Sequence, residues 1–323
     1  MNNDFSVLRD PDNFESTELN LNKIISKSGK EYEIIDRIPR FVDRSNYSDD
    51  FGFQWKKFFK TQLDSYSGLT ITEDRLKRCL GEPFQALENK LILEAGSGAG
   101  RFTEILLKFD ANVHSFDYSS AVDANAMNNG SKERLTLVQA DIRKIPFEKG
   151  KYDFVVCLGV LQHTPNPEES IKSLWDMLKP GGKLIIDHYI FSWRTFLPPP
   201  IGQALGIYRR IILSLPSAYR FKTVKKLVDF WFPFHWKFRK NYILTRVLRR
   251  LSPVIFHYEN LSLKDREMYY EWSLLDTHDS TTDYYRHKRT TKQIEDFLKS
   301  LGAEQISINE DGNGIEANCR KKT

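Results

Sequence analysis

The sequence predicts an α/β protein with a mostly parallel sheet that helices cover on both faces. Two observations predict it: short apolar segments alternate with helical segments between residues 87 and 190, and a glycine-rich turn follows the first of them. Parallel strands need such helices, because the chain must cross back over the sheet between them. The five predicted strands are "KLILEA", "NVHSF", "RLTLVQ", "YDFVVCL" and "GKLIIDHY".

Helix boundaries and two further strands follow from capping and turn residues. Asn166 is a suitable N-cap, with Pro167 at the first helical position and Glu169 at the capping-box spacing. "LKPGGKLII" is predicted to hold a helix end, a glycine turn and the fifth strand. A last helix begins at Thr290 or Thr291 and ends at Gly302, and "AEQISINE" and "GIEANCRK" then form two strands around "DGNG".

Composition predicts five segments. The leader, residues 1–45, is polar and holds one short predicted strand, Glu31–Ile35. The next segment has apolar residues at helical spacing and is expected to act as a lid. The segments are 1–45 (leader, free of cysteine), 46–86 (helical lid), 87–190 (core), 191–286 (basic aromatic insertion or substrate cap) and 287–323 (last helix and last two strands).

Composition also excludes several classes of protein. Of the 323 residues 40% are hydrophobic and 13% aromatic, which excludes a disordered chain. The three cysteines form no CxxC pair, which argues against a zinc ribbon or a disulfide framework and indicates a reducing cytosol. The N-terminus lacks the pattern of a signal peptide, and no apolar run approaches the ~18 residues that span a bilayer.

Charge is concentrated in the insertion. Residues 191–261 hold thirteen Lys or Arg and two acids, a net +11, whereas the whole chain carries +5. Aromatic residues crowd the same segment. Three interpretations remain open: a helical cap over the substrate, an element at an anionic membrane surface, or a nucleic-acid surface. Prolines at 198–200, 216, 233 and 253 predict short helices instead of one long one.

The glycine-rich turn predicts a nucleotide-like ligand. Gly96, Gly98 and Gly100 remove side chains where the backbone would approach a ligand, and the following helix points free N–H groups at it. A dinucleotide fingerprint needs glycine at position 101, where Arg101 stands. Glu94 precedes the turn, so a smaller ligand with a cationic amino acid part fits better. The alternative is that the turn only joins the strand to the helix and binds no ligand.

Two further acids end the next strands. Asp117 follows Gly96 by 21 residues, where a carboxylate accepts hydrogen bonds from ribose hydroxyls. Asp141 ends the third strand, where it could accept from the exocyclic amine of adenine while Ile142 packs on the ring. The candidate cofactor-binding residues are Glu94, Ala95, Gly96, Ser97, Gly98, Gly100, Arg101, Asp117, Tyr118, Ser119, Asp141, Ile142, Leu158, Gly159 and Gln162.

These residues carry a resemblance. Residues 88–190 resemble class I S-adenosylmethionine-dependent methyltransferases, in "LEAGSGAGRF", "HSFDYS", "VQADIRKIPF", "YDFVVCLGVLQH" and "LKPGGKLII". The resemblance implies S-adenosylmethionine as cofactor and a Rossmann-like sheet of seven strands, the last antiparallel. The flanking segments resemble bacterial methyltransferases associated with surface-polysaccharide biosynthesis. In many of these a cysteine-bearing, zinc-ribbon-like segment precedes "IPRF"; residues 1–38 here hold no cysteine, so no metal is predicted.

Candidate catalytic residues follow the fourth and fifth strands. His163 lies on the loop expected to face the transferred methyl group and is the first candidate for a general base. Alternatively, His163 and Gln162 only shape the pocket. Asp187 and His188 end the fifth strand on the substrate side, where a buried structural pair is the alternative.

Substrate contacts are expected from the flanks. The candidate lid residues are Tyr47, Phe53, Gln54 and Trp55, and plain helix packing is their alternative. In the tail, aromatic faces and hydrogen-bonding groups favour sugar recognition, with an ordinary surface loop as the alternative. These tail residues are Trp272, Asp276, Asp279, Tyr284, Tyr285 and His287.

The sequence therefore predicts a cytoplasmic methyltransferase, peripheral to the inner membrane in one interpretation. Its acceptor would be a hydroxyl, in preference to an amine, on a sugar of a surface-glycan or lipid-linked glycan precursor. A small metabolite such as a quinone or lipid head group, or an RNA, is the alternative acceptor. A catalytically silent cofactor-binding scaffold is the alternative of another class, and Arg101 counts against a nicotinamide dehydrogenase.

Overall fold

A computed structural model describes residues 5–43, 46–193, 204–257 and 261–323. The chain divides into two compact units, residues 1–56, 70–191 and 285–323 in the first and residues 57–69 and 192–284 in the second. The strands are β1 (Thr17–Asn20), β2 (Lys23–Ser26), β3 (Glu31–Ile35), β4 (Ile38–Pro39), β5 (Leu91–Ala95), β6 (Asn112–Asp117), β7 (Leu135–Gln139), β8 (Tyr152–Cys157), β9 (Leu178–Tyr189), β10 (Ala303–Asp311) and β11 (Gly314–Lys321). The α-helices are α1 (Asp49–Lys57), α2 (Asp64–Ser67), α3 (Ile71–Leu80), α4 (Arg101–Lys108), α5 (Val122–Asn129), α6 (Pro167–Met177), α7 (Leu205–Leu213), α8 (Ser217–Phe238), α9 (Tyr242–Leu251), α10 (Arg266–Thr282) and α11 (Thr291–Ser300).

A seven-stranded sheet forms the centre of the first unit. Its strand order is β10-β11-β9-β8-β5-β6-β7. β5 to β9 run parallel, and β11 runs antiparallel to both of its neighbours. The predicted Rossmann-like sheet with an antiparallel last strand is confirmed.

Apart from the edge strand β10, which has no buried residue, the sheet is buried on both faces. Side chains alternate along a strand, so that in β5 Leu93 belongs to one apolar cluster and Ile92 to the other. All five residues of β7 are buried. Covering both faces is the reason that the strands read as continuous apolar runs in the sequence. The carboxyl ends of β5 to β9 meet at one edge, where ligands bind in sheets of this kind.

Capping residues set the helix starts as predicted. Asn166 accepts from the N–H of Glu169 at 3.2 Å, with Pro167 as the first residue of α6. Thr290 and Gln293 form a capping box at the start of α11. Each such cap contributes about 1 kcal/mol. Both predicted N-caps are confirmed.

The leader has more structure than the sequence analysis predicted. β1 to β4 form a four-stranded antiparallel sheet, of which only β3 was predicted. β1 and β2 were missed because both are only four residues long, too short for a clear alternating pattern. The chain then continues along β7, where Phe41 N–H donates to the Gln139 carbonyl at 2.8 Å.

The fifth strand also differs from its prediction. β9 begins at Leu178, four residues before the predicted start at Gly182, so the turn "PGG" lies inside the strand. The pairing of β9 with β8 shifts register between Tyr152 and Phe154. Gly181 has a φ of +74°, which a residue with a side chain rarely adopts. The glycines therefore form an irregularity in the ladder and do not end it.

Over its described residues, the helices α2 and α7 to α10 are the regular elements of the second unit. The prediction of short, proline-bounded helices was wrong at Pro233, which lies inside the 22-residue α8. An internal proline costs roughly 3 kcal/mol. Burial of one side of α8 offsets this cost, through Val224, Val228 and Phe232. Residues 198–200 lie outside the described part of the chain. No helix in that part is long and apolar enough to cross a membrane.

Candidate functional site

The glycine-rich turn between β5 and α4 is shaped by protein contacts. A Cβ at Gly96, whose φ is +76°, would lie 2.2 Å from Val160 Cγ2. A Cβ at Gly100, whose φ is +86°, would lie 2.1 Å from Asn125 Oδ1. Packing and backbone conformation thus require both glycines. That these two glycines also clear space for a ligand stays a prediction.

Asp117 braces this turn from the end of β6. Its Oδ2 accepts from the N–H of Gly98 at 2.9 Å. Its Oδ1 accepts from the N–H and the hydroxyl of Ser119, at 2.8 and 2.7 Å. Burial raises the pKa of Asp117 against the lowering effect of these bonds. The carboxylate is therefore held at the turn, with acceptor capacity left for a ligand's hydroxyl groups.

Glu94 is a buried carboxyl group at the end of β5. Its Oε2 accepts from the hydroxyls of Thr103 (2.5 Å) and Ser115 (2.8 Å). Its Oε1 is buried without a protein partner. Burial raises the pKa of Glu94 to about 7. An unpaired carboxylate oxygen in such a place would be stabilised by a cationic ligand.

Asp141 has a partner that the sequence analysis did not foresee. Arg143 donates to Oδ1 from Nε at 3.1 Å and to Oδ2 from Nη2 at 2.6 Å. The N–H of Arg143 donates to Oδ1 as well, at 2.8 Å. Ile142 beside it is 6% exposed. A ligand amine that binds Asp141 would have to share or displace the guanidinium.

Aromatic side chains pack around Tyr118, the residue after Asp117. Tyr118 stacks on Tyr47 with ring centroids 4.9 Å apart, and Tyr285 meets Tyr47 edge-on at 5.2 Å. Burial raises the pKa of Tyr47, which therefore stays a neutral hydrogen-bonding group. These rings form an apolar wall beside Asp117.

Helix α1 lies against the glycine-rich turn. A Cβ at Gly98 would be 3.3 Å from the indole of Trp55. Gly52 approaches the neighbouring loop so closely that its Cβ would be 2.4 Å from Ser120 Oγ. Gln54 is fully buried, whereas Phe53 is 49% exposed. Of the predicted lid residues, Trp55 thus lies on the turn and Phe53 faces away from the interior.

The loop after β8 contributes a buried amide. Gln162 is fully buried, and neither Oε1 nor Nε2 of its side chain has a protein partner. Its backbone carbonyl accepts from the N–H of His287 at 2.9 Å. A buried amide with no partner costs about 1–3 kcal/mol, so its presence needs an explanation. A ligand that hydrogen-bonds it would supply one.

His163 lies in an aromatic surrounding on the same loop. Its ring is 5.3 Å from Phe51 and 5.4 Å from Tyr189, between centroids. Nδ1 lies 3.1 Å from the carbonyl oxygen of Tyr285. Because a carbonyl only accepts, Nδ1 carries the proton, and in the neutral ring Nε2 carries the lone pair. This tautomer suits a base that works through Nε2.

Asp187 and His188 form hydrogen bonds and ion pairs with different partners. Asp187 Oδ1 accepts from the N–H of Gly159 at 2.6 Å, and Oδ2 forms an ion pair with Arg75, a residue that the sequence analysis missed. His188 donates from Nδ1 to the carbonyl of Tyr189 at 3.0 Å, and its buried Nε2 has no partner. Burial lowers the pKa of His188, so its ring is neutral near pH 7. Neighbours in a strand point to opposite faces, which separates the two side chains.

Unpartnered buried polar atoms collect where β5, β8 and β9 end. Native proteins leave few such atoms, and each needs an explanation. β8 lies between β5 and β9, and Gly96 contacts Val160, so these strand ends are neighbours. The predicted residues Ala95 and Leu158 are buried beside them, and Arg101 begins α4 over the ring of Phe102. The atoms are Glu94 Oε1, Ser97 Oγ, Gln162 Oε1 and Nε2, and His188 Nε2.

The tail residues that were predicted together fall into different units. Tyr285 and His287 belong to the first unit, and Trp272, Asp276, Asp279 and Tyr284 to the second. Tyr284 is 61% exposed. Asp276 pairs with His257 Nε2 and also accepts from Gln62 Nε2 at 3.1 Å. His257 was missed because the chain separates it from Asp276 by 19 residues without a motif.

Asp276 should control the titration of His257. Burial alone would lower the pKa of His257, but the hydrogen bond and charge of Asp276 outweigh it and raise the pKa above 6.5. We expect an NMR titration to show this raised pKa, and Asp276→Asn to bring it below 6.5. The pair's contribution to stability is present below pH 6.5 and is lost as pH rises through the folded-state pKa. His235, whose pKa burial lowers to about 4, is the control. An unchanged His257 titration in Asp276→Asn would contradict the pairing.

Residues 93–186 match the family model described as a methyltransferase domain. The ubiquinone biosynthesis O-methyltransferase of Coxiella burnetii is 29% identical over 118 residues, which are 36% of this chain and 50% of that protein. The tRNA U34 carboxymethyltransferase of Nautilia profundicola is 33% identical over 114 residues, 34% of this chain and 38% of that protein. The chain spans about half or less of the length of these curated relatives.

Solved structures are similar at lower identity. The magnesium protoporphyrin IX methyltransferase of Synechocystis, crystallised with bound S-adenosylhomocysteine, is 13% identical, with a TM-score of 0.46 over 85% of this chain and 97% of that one. Phosphoethanolamine N-methyltransferase 2 of Haemonchus contortus is 18% identical, with a TM-score of 0.46 over 84% of this chain and 47% of that one. The family match identifies residues 93–186 as similar to methyltransferase domains, and the strand order confirms the predicted seven-stranded sheet.

Proposed function

Because residues 93–186 match a methyltransferase domain and have its class I strand order, we propose that this chain transfers the methyl group of S-adenosylmethionine to a hydroxyl of an acceptor. The observation that carries the proposal is the set of unpartnered buried polar atoms at the ends of β5, β8 and β9. A silent scaffold would need only the cofactor contacts, whereas His163 adds a nitrogen base in the same unit.

The residues present fit this cofactor. Asp117 would accept from the two ribose hydroxyls, and Glu94 Oε1 would face the cationic amino acid part. Ile142, with Asp141 sharing its carboxylate with Arg143, would hold the adenine. Trp55 and Tyr47 would cover the ligand and exclude water. When bound, the cofactor supplies an activated methyl group on a sulfonium.

His163 would take up the acceptor's proton at Nε2. The carbonyl of Tyr285 holds the proton on Nδ1 and so keeps the lone pair on the other nitrogen. General-base assistance of this kind typically contributes 10²–10⁴-fold in rate. His188 has a neutral ring with an unpartnered Nε2, and it would orient the acceptor by a hydrogen bond.

The acceptor in this proposal is a sugar of a surface-glycan or lipid-linked glycan precursor, at the cytoplasmic side of the membrane. The support is the resemblance of the flanking segments. A small apolar metabolite is a second candidate, since the Coxiella burnetii relative is named for ubiquinone biosynthesis.

Methyl-labelled S-adenosylmethionine tests the acceptor directly. We would incubate the full chain with the labelled cofactor and a bacterial envelope lipid extract, and then separate quinones, phospholipids and glycolipids. If mild acid releases the label together with sugar, the result supports the proposal. Label in the quinone fraction would favour the second candidate. A silent scaffold would bind S-adenosylhomocysteine without forming it, and a chain that does not use this cofactor would show neither binding nor formation.

Trp55 should contribute to cofactor affinity through the glycine-rich turn. We expect Trp55→Ala to weaken S-adenosylhomocysteine binding about tenfold in calorimetry, because loss of an aromatic contact costs about 1–1.5 kcal/mol. Phe53→Ala removes an exposed ring from the same helix and is the matched control. Equal effects of both substitutions would argue that α1 only stabilises the domain.

A further inference from the structure

Helix α9 turns its apolar side to solvent. Ile243, Val247 and Leu251 repeat every fourth residue and therefore share one stripe of the helix. They are 72%, 46% and 45% exposed. Thr245, a polar residue, is the buried one in this helix. An ordinary surface helix has the reverse arrangement, with the apolar stripe against the core.

Arginines border this stripe. Arg246 and Arg250 lie within one turn of Ile243 and Val247, and Arg249 is the third arginine of the helix. The sequence of α9, "YILTRVLRRL", holds no acid. An exposed helix with aliphatic residues on one face and arginines beside them is the arrangement of helices that lie in a membrane interface.

Helix α7 repeats the arrangement next to α9. The N–H of Ala204, just before α7, donates to the carbonyl of Arg250 at 2.9 Å and so joins the two helices. Ile207 and Ile211 share one side of α7 and are 51% and 56% exposed. Arg210 stands exposed between them. The second unit thus exposes two neighbouring helices that each combine aliphatic and basic side chains.

We propose that the exposed sides of α7 and α9 dock on the headgroup region of an anionic lipid bilayer. The aliphatic side chains would enter the interface, and the arginines would meet lipid phosphates, at about 1 kcal/mol per basic residue near such a surface. The net +11 of residues 191–261 is complementary to that surface. This inference deepens the proposed function, since a lipid-linked acceptor would be presented at the same membrane.

Two other partners for this surface, a second copy of the chain and RNA, fit less well. A second copy would bring the same +11 segment against itself, and like charges repel. RNA would be met by aromatic side chains on which bases stack. The stripe residues Ile243, Val247 and Ile211 are aliphatic, and the exposed ring of Tyr242 lies at the first residue of α9, outside the stripe. Lipid is the partner that uses both the aliphatic and the basic side chains.

Flotation of the full chain with vesicles tests the inference. We expect the protein to float with phosphatidylcholine vesicles that contain phosphatidylglycerol, and not with phosphatidylcholine alone, and we expect high salt to weaken the binding. Ile243→Ser with Val247→Ser should reduce vesicle binding at least tenfold, as should Arg246→Gln with Arg250→Gln. All four positions lie outside the core, so these variants are expected to fold. Leu21→Ser, at an apolar residue of the first unit that is 92% exposed, is the control and should bind as the wild type does.

Calorimetry with S-adenosylhomocysteine separates this inference from the proposed function. Vesicle binding lost in both double variants with cofactor affinity unchanged supports docking through α9. No flotation of the wild type, or equal flotation with neutral vesicles, overturns it even when the cofactor binds. A wild-type dimer in sedimentation that Ile243→Ser with Val247→Ser dissociates would assign the face to a second copy. Binding of RNA in place of vesicles would assign it to nucleic acid. A wild type that floats but binds no cofactor would instead overturn the proposed function.

Discussion

Asp117→Ala is expected to reduce the affinity for S-adenosylhomocysteine at least about 100-fold. The variant loses the proposed hydrogen bonds to two ribose hydroxyls, and a bond to a charged group contributes about 1.5–3 kcal/mol. Two such bonds amount to about 3–6 kcal/mol, and each 1.4 kcal/mol is tenfold in affinity. Isothermal titration calorimetry measures the change.

The control for this prediction separates ligand contacts from support of the turn. Asp117 also accepts from the N–H groups of Gly98 and Ser119, so its loss loosens the turn itself. Asp117→Asn keeps one acceptor oxygen and should lose less affinity than the alanine variant. Glu133→Ala, an exposed acid just before the amino end of β7, should change nothing. Undiminished binding in Asp117→Ala would remove Asp117 from the cofactor pocket.

Glu94→Gln is expected to change how stability depends on pH. Because the folded-state pKa of Glu94 is raised to about 7 from 4.5, its contribution to folding is present below pH 4.5 and is lost as pH rises through 7. With about 1.36 kcal/mol per pKa unit, the unfolding free energy of the wild type relative to the variant should fall by about 3 kcal/mol over this range. Urea unfolding at several pH values measures it.

The same substitution should weaken binding of the cationic cofactor. Glutamine carries no charge to pair with the amino acid part, so we expect S-adenosylmethionine affinity to fall at least about tenfold at pH 8. The variant would then lose affinity while it gains relative stability at high pH. Glu133→Gln, at an exposed acid, serves as the control for both measurements. Parallel stability curves for the wild type and Glu94→Gln would show that Glu94 titrates normally.

Local patterns predicted much of the first unit. The strands of the sheet, the N-caps Asn166 and Thr290 and the acid at the end of β6 all depend on a few neighbouring residues. The leader's sheet was mostly missed because four-residue strands show little periodicity. Pro233 was misjudged because packing along α8 offsets the local cost of a proline.

Contacts between distant residues were beyond the sequence analysis. Arg75 pairs with Asp187, 112 positions away. Arg143 binds the carboxylate of Asp141, and this pair was missed although only two positions separate the residues. His257 meets Asp276 between separate elements of the second unit. A sequence motif records neither side-chain direction nor which strands become neighbours, so these pairs could not be deduced from residue types alone.

The sequence by itself determined the fold class, the glycine-rich turn and the acids Glu94, Asp117 and Asp141 beside it, because strand, turn and capping preferences act over short stretches of chain. Only the tertiary structure decided how these groups are used. In the folded chain Val160 packs against Gly96, and the side-chain amide of Gln162 is buried without a protein partner. The apolar stripe of α9 is exposed. The physical reason is that burial and hydrogen-bond partners depend on which distant segments come together, whereas backbone preferences do not.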